Sequence, residues 1–191
     1  MIGHGEEALI HSERAVGLDP FNPLLQSFHA LILHSQRCYD EAIAATQEAL
    51  RIQPDFPAAM NVLWFIMHDK KGMEREAFEA AKVFSRGTYN DARIEAALDE
   101  GYAQGGYAEA MKRGAGALIA RLPEIFCLPG DIAMFYAAAG EKTKTLDWLE
   151  KGLEVHDPVL QYVRVPPFVD LLGDEPRYQE LLRKMNLQVT E

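Results

Sequence analysis

The sequence predicts an all-α fold in which antiparallel helix pairs stack into an α-α superhelix, or solenoid. The first observation is a period of 34 residues, at which Ala8 and Pro20 recur as Ala42 and Pro54. A second set recurs two periods apart: Tyr39, Glu41, Ala42 and Leu50 return as Tyr107, Glu109, Ala110 and Leu118. Self-similarity at this spacing is the signature of helix-turn-helix arrays, so the period predicts the architecture.

We expect the 191 residues to form a single array. Its parts are a half-repeat at 3–20, repeats at about 22–54, 56–87, 90–121 and 130–157, and a C-terminal cap at 158–191. The half-repeat lacks a first helix, which indicates either an excised fragment or an array that begins with half a repeat. Solenoids need a polar end cap. The charged residues suited to that role are Arg177, Glu180, Arg183 and Lys184.

Apolar residues at helical spacing mark the helices of the N-terminal half, together with start and stop signals. Asn22 and Pro23 supply a cap and a first helical position, and Gly72 ends a later helix. The predicted helices cover residues 6–18, about 24–35, 39–52 and 57–70, followed by a partner whose repeat-like part opens at Ala77. The apolar side of the second helix is predicted to carry Leu25, Phe28, Leu31 and Ile32.

Glycine and proline mark the elements of the C-terminal half. The tripeptide at 89–91 starts a helix that the glycine pair at 105–106 closes, and residues 107–121 return as its partner. Gly114 and Gly116 each cost that helix about 1 kcal/mol, so we expect close helix packing at both. A longer connection is predicted over 122–130, followed by a helix that Asp131 caps and that runs to about 139. Gly140 then makes a turn, and a helix over 142–155 is ended by Asp157-Pro158. An irregular or short turn segment over 165–172 precedes the last helix, from Pro176 to about Met185.

The composition is that of a folded protein, with 48% hydrophobic and 25% charged residues. A formal net charge of -10 repels phosphate, so we expect no direct binding of nucleic acid and a better fit to a basic partner. Cys38 and Cys127 lie far apart without ligand spacing, which predicts free thiols in a reducing cytosol. Neither a signal peptide nor an apolar run of roughly 18 residues is present. We therefore expect a cytoplasmic protein without membrane contact.

The period, the alanine that opens each second helix, the closing proline and the pattern Gly105-x-Tyr107-x-x-Ala110 together resemble tetratricopeptide repeats. The resemblance covers roughly residues 6–155. It implies a concave face, formed by the first helices, at which members of the family commonly bind extended peptides. The family's usual Trp, Leu, Gly and Tyr of the first helix are replaced here by Gln26, His29, Ala30 and Leu33, and Trp64 stands where a small residue is expected.

The C-terminal segments are similar to the last repeat and the closing segment of certain bacterial arrays. The segments that carry this similarity include Trp148-Leu149-Glu150-Lys151-Gly152-Leu153, Pro167-Phe168 and Leu171-Leu172-Gly173-Asp174-Glu175-Pro176-Arg177-Tyr178. In those relatives the array is the regulatory C-terminal part of a longer chain that begins with a winged-helix DNA-binding domain, a nucleotide cyclase or a Ser/Thr kinase. The resemblance implies such a module upstream, and it supplies no chemistry within this chain.

No stretch of the sequence predicts catalysis. A glycine-rich phosphate loop does not appear, and no nucleophile, base and orienting acid can be placed together. His34 and His68 occupy the same place in successive first helices, which separates them by about 8 to 10 Å. That separation is too large for one zinc ion unless the side chains lean together, so we expect exposed groove histidines. We expect no metal, no cofactor and no enzymatic activity.

The concave face is the candidate site. The repeat positions of the family place on it Ser27, Leu31, His34, Asn61, Phe65, His68, Glu95, Asp99 and Tyr102. Its first part is apolar and its next part acidic, which suits a peptide with an apolar anchor and a basic end. The basic residues with which relatives clamp a C-terminal carboxylate are absent from these positions, so chaperone-tail binding is not expected. The alternative is that these side chains only pack the inner curve.

The sequence supports three hypotheses about function. The first is a protein-protein interaction scaffold that binds a peptide or a partner domain in the groove. The second is self-association into a homodimer or larger homo-oligomer, because the unpaired first helix is predicted to expose Leu9, Val16 and their neighbours at an uncapped solenoid end. The third is an enzyme whose site is not recognised.

Overall fold

A computed structural model describes residues 5–70 and 72–187, and its regular structure within those ranges is helical throughout. The chain divides into two compact units, the first ending at Asn90 and the second beginning at Asp91. The outermost positions of the predicted half-repeat and cap, residues 3–4 and 188–191, lie outside the described residues. No helix in the described part of the chain combines the length and the apolar character needed to cross a membrane.

Unit 1 pairs its helices as the sequence predicts. Within 5–70 and 72–90 they are α1 (Gly5–Leu18), α2 (Pro23–Ser35), α3 (Tyr39–Ile52), α4 (Pro57–Asp69) and α5 (Glu74–Tyr89). The Asn22 side chain accepts hydrogen bonds from the backbone N–H groups of Leu24 and Leu25, which is the predicted cap. Helix α2 pairs with α3 and α4 with α5, while α1 lies against α2.

Small side chains and one large aromatic form the core of unit 1. The fully buried alanines that let paired helices approach are Ala30, Ala42, Ala49, Ala59, Ala77 and Ala81. Trp64 is also fully buried, and its ring lies 5.7 Å from that of Phe65 and 5.9 Å from that of Phe84. The position where the family has a small residue is therefore filled by an aromatic cluster, which favours offset ring packing over close backbone contact.

Unit 2 begins with a helix, α6 (Ala92–Arg121), that folds back on itself. Gly105 and Gly106 have non-helical backbone angles within its 30 residues. A straight helix of that length would separate its ends by about 45 Å. The Nε of Arg121 nevertheless donates to Oδ2 of Asp91 at 2.6 Å. The segments 92–104 and 107–121 are therefore an antiparallel pair, as the sequence predicts.

Asp91 clamps the open end of this hairpin. Its carboxylate accepts from the backbone N–H and the guanidinium of Arg93, at 2.9 and 3.0 Å, as well as from Arg121. These hydrogen bonds, those from Arg93 first, hold the pKa of Asp91 well below its usual range. The carboxylate therefore stays charged and joins the start of one segment to the end of the other.

Neighbouring atoms lie close to Gly101 and Gly114 inside the hairpin but not to Gly116. A Cβ at Gly101 would lie 2.6 Å from the Cα of Ala110, and a Cβ at Gly114 would lie 2.7 Å from a methyl of Leu98. The prediction of close packing is confirmed at Gly114. It is wrong at Gly116, where nothing lies within 4 Å of an added Cβ because the residue faces solvent.

The rest of unit 2 is a second hairpin and a closing segment. Up to residue 187 it contains α7 (Pro129–Ala138), α8 (Lys142–Glu154), a 3-10 helix (Pro158–Tyr162), α9 (Phe168–Leu172) and α10 (Pro176–Lys184). Helix α7 pairs with α8, and the 3-10 helix and α10 both contact α8. The guanidinium of Arg177 on α10 binds Asp147 and Glu150 on α8, so this predicted cap residue also ties the last helix to its neighbour.

Asp157 joins the closing segment to the start of α7. One carboxylate oxygen of this buried residue accepts from the Gly130 N–H at 2.6 Å, and the other accepts from the Val159 N–H at 2.8 Å. An added Cβ at Gly130 would lie 2.5 Å from the Cβ of Val159. Asp157, which the sequence predicts to end α8, thus also caps the 3-10 helix that follows.

Two predicted boundaries are wrong. Tyr89 does not start α6 but is the last residue of α5, which ends because Asn90 adopts a left-handed conformation with φ of 49°. Asp131 is not a cap, because Pro129 occupies the first helical position of α7 two residues earlier. The segment over 165–172, predicted to be irregular or a short turn, ends in the one-turn helix α9.

The glycine turn in α6 gives a stability test with a matched control. Gly106 has φ of 71° and ψ of -158°, a region that only glycine occupies readily. We expect Gly106→Ala to lower the free energy of unfolding by about 1 to 3 kcal/mol. Gly116→Ala, in an open helical position, should raise it by about 0.5 to 1 kcal/mol. Urea unfolding followed by circular dichroism measures both, and a Gly106→Ala variant as stable as the parent would contradict the turn.

Candidate functional site

Most of the predicted groove residues of unit 1 lie between α2 and α4 and are not accessible. The buried ones are Ser27, Leu31, His34 and Phe65. The hydroxyl of Ser27 donates to the carbonyl of Pro23 at 2.7 Å, so it completes the helix backbone instead of offering a contact. The sequence left open the alternative that these side chains only pack the inner curve. The burial of these four residues agrees with that alternative.

The expectation of an exposed groove histidine is wrong for His34. Its ring is fully buried, with Nε2 2.5 Å from Oδ2 of Asp69, and it stacks on the ring of Phe65 at 6.4 Å. Its Nδ1 has no hydrogen-bond partner among the described residues. A fully buried imidazole cannot reach a substrate in this conformation, so His34 and Asp69 serve as a polar link between α2 and α4.

Asn61 and His68 are the two predicted groove residues of α4 that stay partly accessible. Burial is the larger influence on His68 and lowers its pKa, with the charge of Asp69 acting in the opposite direction. The Oδ1 of Asn61 is buried and finds no partner in the described part of the chain. Both residues border the α2–α4 contact, which makes them weaker candidates for a binding surface than the sequence predicts.

The accessible apolar side chains of α2 are Leu24 and Phe28, one helical turn apart. They are not among the predicted groove positions of this helix. Leu24 is 42% exposed and Phe28 is 41% exposed, and Phe21 just before the helix is 71% exposed. The sequence analysis placed Phe28 on the apolar side of α2 with Leu31 and Ile32, which are buried, whereas Phe28 is exposed. Leu24 and Phe28, four residues apart, share one helix face. We call Phe21, Leu24 and Phe28 the α2 apolar surface.

A second accessible apolar feature is an open groove of about 390 Å³ between α4 and α5. Its apolar lining consists of the buried Met60, Met67 and Ala80 and the half-buried Leu63 and Val83, and its charged lining of Arg75, Glu76 and Glu79. We call it the α4–α5 groove. Sequence reasoning missed it, although Met60, Leu63 and Met67 stand at helical spacing.

The predicted acidic part of the groove lies in unit 2. Glu95, Asp99 and Tyr102 follow one another at four- and three-residue spacing on the 92–104 segment of α6, so they share a face. Asp99 is exposed and the other two are half-buried. These three residues remain a candidate surface for a basic segment.

Ser12 and His29 form a pair that the sequence analysis did not find. The Oγ of Ser12 lies 2.9 Å from Nδ1 of His29 and donates to the carbonyl of Leu9, also at 2.9 Å. The hydroxyl has one proton for two acceptors, the Leu9 carbonyl and the imidazole, so the imidazole tautomer sets which group donates at the Ser12–His29 contact. Burial lowers the pKa of His29, against the charge of Glu13. The pair ties α1 to α2.

The two cysteines and the possible metal ligands are considered next by their arrangement in the structure. Cys38 and Cys127 are free thiols, as predicted. Within 5–70 and 72–187, no group of three or more His, Cys, Asp or Glu side chains is arranged to hold a metal ion.

Two partly buried histidines, His29 and His68, give unit 1 a defined response to acid. Because the folded state lowers the pKa of His29 and His68, the unfolded chain binds protons more readily once the pH falls below about 6.5. Stability is therefore complete above that pH and decreases as the pH falls below it. We expect the urea concentration at the unfolding midpoint to decrease as the pH is lowered from 7.5 to 5.5. In His68→Gln this decrease should be smaller. An unchanged slope in the variant would count against the burial of a neutral His68.

These contacts can be set beside known proteins. No model of a known protein family matches the chain, and no curated protein matches it at a significant level.

Proposed function

We propose that this chain is a protein-protein interaction module of the tetratricopeptide-repeat type, without enzymatic activity of its own. The helical hairpins support the proposal, because paired helices at a regular sequence period are the building plan of that architecture. The observation that carries it is the exposure of Leu24 and Phe28 on one face of α2. Adjacent exposed apolar side chains mark interaction surfaces, whereas isolated ones are ordinary.

The proposed partner is a peptide or a protein segment with an apolar anchor. The α2 apolar surface takes the place of the predicted Ser27 and His34, which are buried. On unit 2, the exposed carboxylate of Asp99 with Glu95 beside it on α6 is a separate surface that a basic segment would complement. The net charge of -10 favours the approach of such a partner over that of an acidic one.

The proposed setting is regulatory. It rests on the resemblance of the C-terminal segments to those of bacterial proteins in which such an array follows a winged helix, a cyclase or a kinase. In that setting the array would recognise a partner and an attached module would give the output. A cytoplasmic location belongs to the same proposal.

Selection of a random peptide display library on the wild-type chain tests the α2 apolar surface. We expect enriched peptides that contain a large apolar residue, with binding at least about tenfold weaker for Phe28→Glu, because a charge would replace the central apolar contact. The control is Phe126→Ser, which removes an exposed aromatic of unit 2 and should leave binding unchanged. Equal binding by both variants, both folded by circular dichroism, would reject this surface.

Self-association is a second candidate, and a separate observation favours it. Ile10 on α1 is 63% exposed and Leu18 is 79% exposed. The sequence analysis predicted exposure of Leu9, Val16 and their neighbours. Leu9 and Val16 themselves are half-buried, because they lie on the side of α1 that carries Ser12 and packs against α2. The opposite side of α1 is the one offered to a second copy.

Sedimentation velocity over a range of micromolar concentrations tests self-association. We expect the mean mass of the wild-type chain to rise with concentration and Ile10→Lys with Leu18→Lys to remain monomeric, because two charges would have to be buried in the contact. Phe126→Ser again serves as the control and should associate like the parent. A wild-type chain that stays monomeric throughout would end this alternative.

A further inference from the structure

The α4–α5 groove is a built apolar site separate from the α2 apolar surface. Two methionines, Met60 and Met67, stand two turns apart on α4 with Leu63 between them, and Ala80 and Val83 face them from α5. The volume of about 390 Å³ lies at the lower end of the range for ligand sites, roughly 300 to 1,000 Å³. An open groove of this size between two helices admits apolar side chains from another chain.

The charged lining of the groove comes from the first two turns of α5. Glu76 and Glu79 are three residues apart and exposed, so they share a helix face. Within 5–70 and 72–187, neither carboxylate takes part in a hydrogen bond or an ion pair. Arg75 is the cation at the same edge. Two carboxylates without a cationic partner beside apolar side chains form a surface that basic groups complement.

We infer that the α4–α5 groove binds a basic amphipathic helix from a partner protein. An amphipathic helix places its apolar stripe into a groove and keeps its polar edge at the rim. Methionine side chains suit this use because they are flexible and polarizable and can adapt to different apolar partners. Lysine or arginine at the edge of the partner helix would meet Glu76 and Glu79, while Arg75 would favour one acidic or polar position.

This site is distinct from the α2 apolar surface in both position and chemistry. The α2 surface is a small set of exposed apolar side chains, whereas the groove combines an apolar lining with carboxylates. A partner could engage either surface without the other. The inference therefore does not require the proposed function of the α2 surface to hold.

The test uses two synthetic amphipathic helical peptides with the same leucine stripe, one with lysine and the other with glutamate on its polar face. We expect the lysine peptide to bind the full chain and to shift the methyl resonances of Met60 and Met67, two of the seven methionines. The glutamate peptide should bind at least about tenfold more weakly, because it would bring like charges to the rim.

Charge variants locate the contact without disturbing the core. Glu76→Gln with Glu79→Gln should weaken the lysine peptide by about five- to tenfold, since each exposed ion pair contributes modestly. Glu6→Gln with Glu41→Gln removes two exposed carboxylates elsewhere in unit 1 and should have at most a small effect. Val83→Asp, which places a charge in the apolar lining, should abolish the methyl shifts in a chain that circular dichroism shows to be folded.

Several outcomes would overturn the inference. The first is a lysine peptide that shifts neither methionine methyl, and the second is equal binding of the two peptides. Methyl shifts caused by a small apolar compound such as octanol, with no response to either helix, would mark a small-molecule site instead. Phe28→Glu should leave the lysine peptide bound, so failure at the α2 apolar surface and failure at the groove are distinguishable.

Discussion

Close approach of paired helices through small side chains is the constraint on which the structure depends. Fully buried alanines line the contacts in unit 1, and in unit 2 Gly101 lies so near Ala110 that any side chain there would collide with backbone. Helices can pack this tightly only where one of the facing residues has little or no side chain. The larger buried side chains, such as Trp64 and Phe135, fill the remaining core.

The surfaces proposed for binding are what the packing leaves uncovered. Helix α2 uses one side for α3, another for α4 and a third for α1. The remaining strip is narrow, and Leu24 and Phe28 occupy it. The α4–α5 groove is a second uncovered face, with Met60 and Met67 buried in its lining and Leu63 and Val83 half-buried beside them. A partner helix would complete the packing of these faces much as the next element of the chain does elsewhere.

The buried polar groups act as links between helices and not as reactive groups. His34 joins α2 to α4 through Asp69, Ser12 joins α1 to α2 through His29, and Asp91 closes the α6 hairpin. Each bonds to a specific partner across a helix contact, and losing that partner would leave a buried polar group without this bond. This use of polar residues specifies which helices pair.

The sequence alone determined the helix pairs and their turns, because local signals are enough for them: the 34-residue period, Pro23 in the first turn of α2 and the glycine pair at 105–106. Boundaries failed where a neighbour decided the outcome, as at Tyr89, whose buried ring keeps it in α5. Tertiary structure alone decided which face of each helix is accessible. Consecutive residues lie about 100° apart around the helix axis, and here Ser27 is buried while Phe28 is exposed. The packing of α2 against α3 and α4 decides which of these faces is buried, and no local pattern on α2 records that choice.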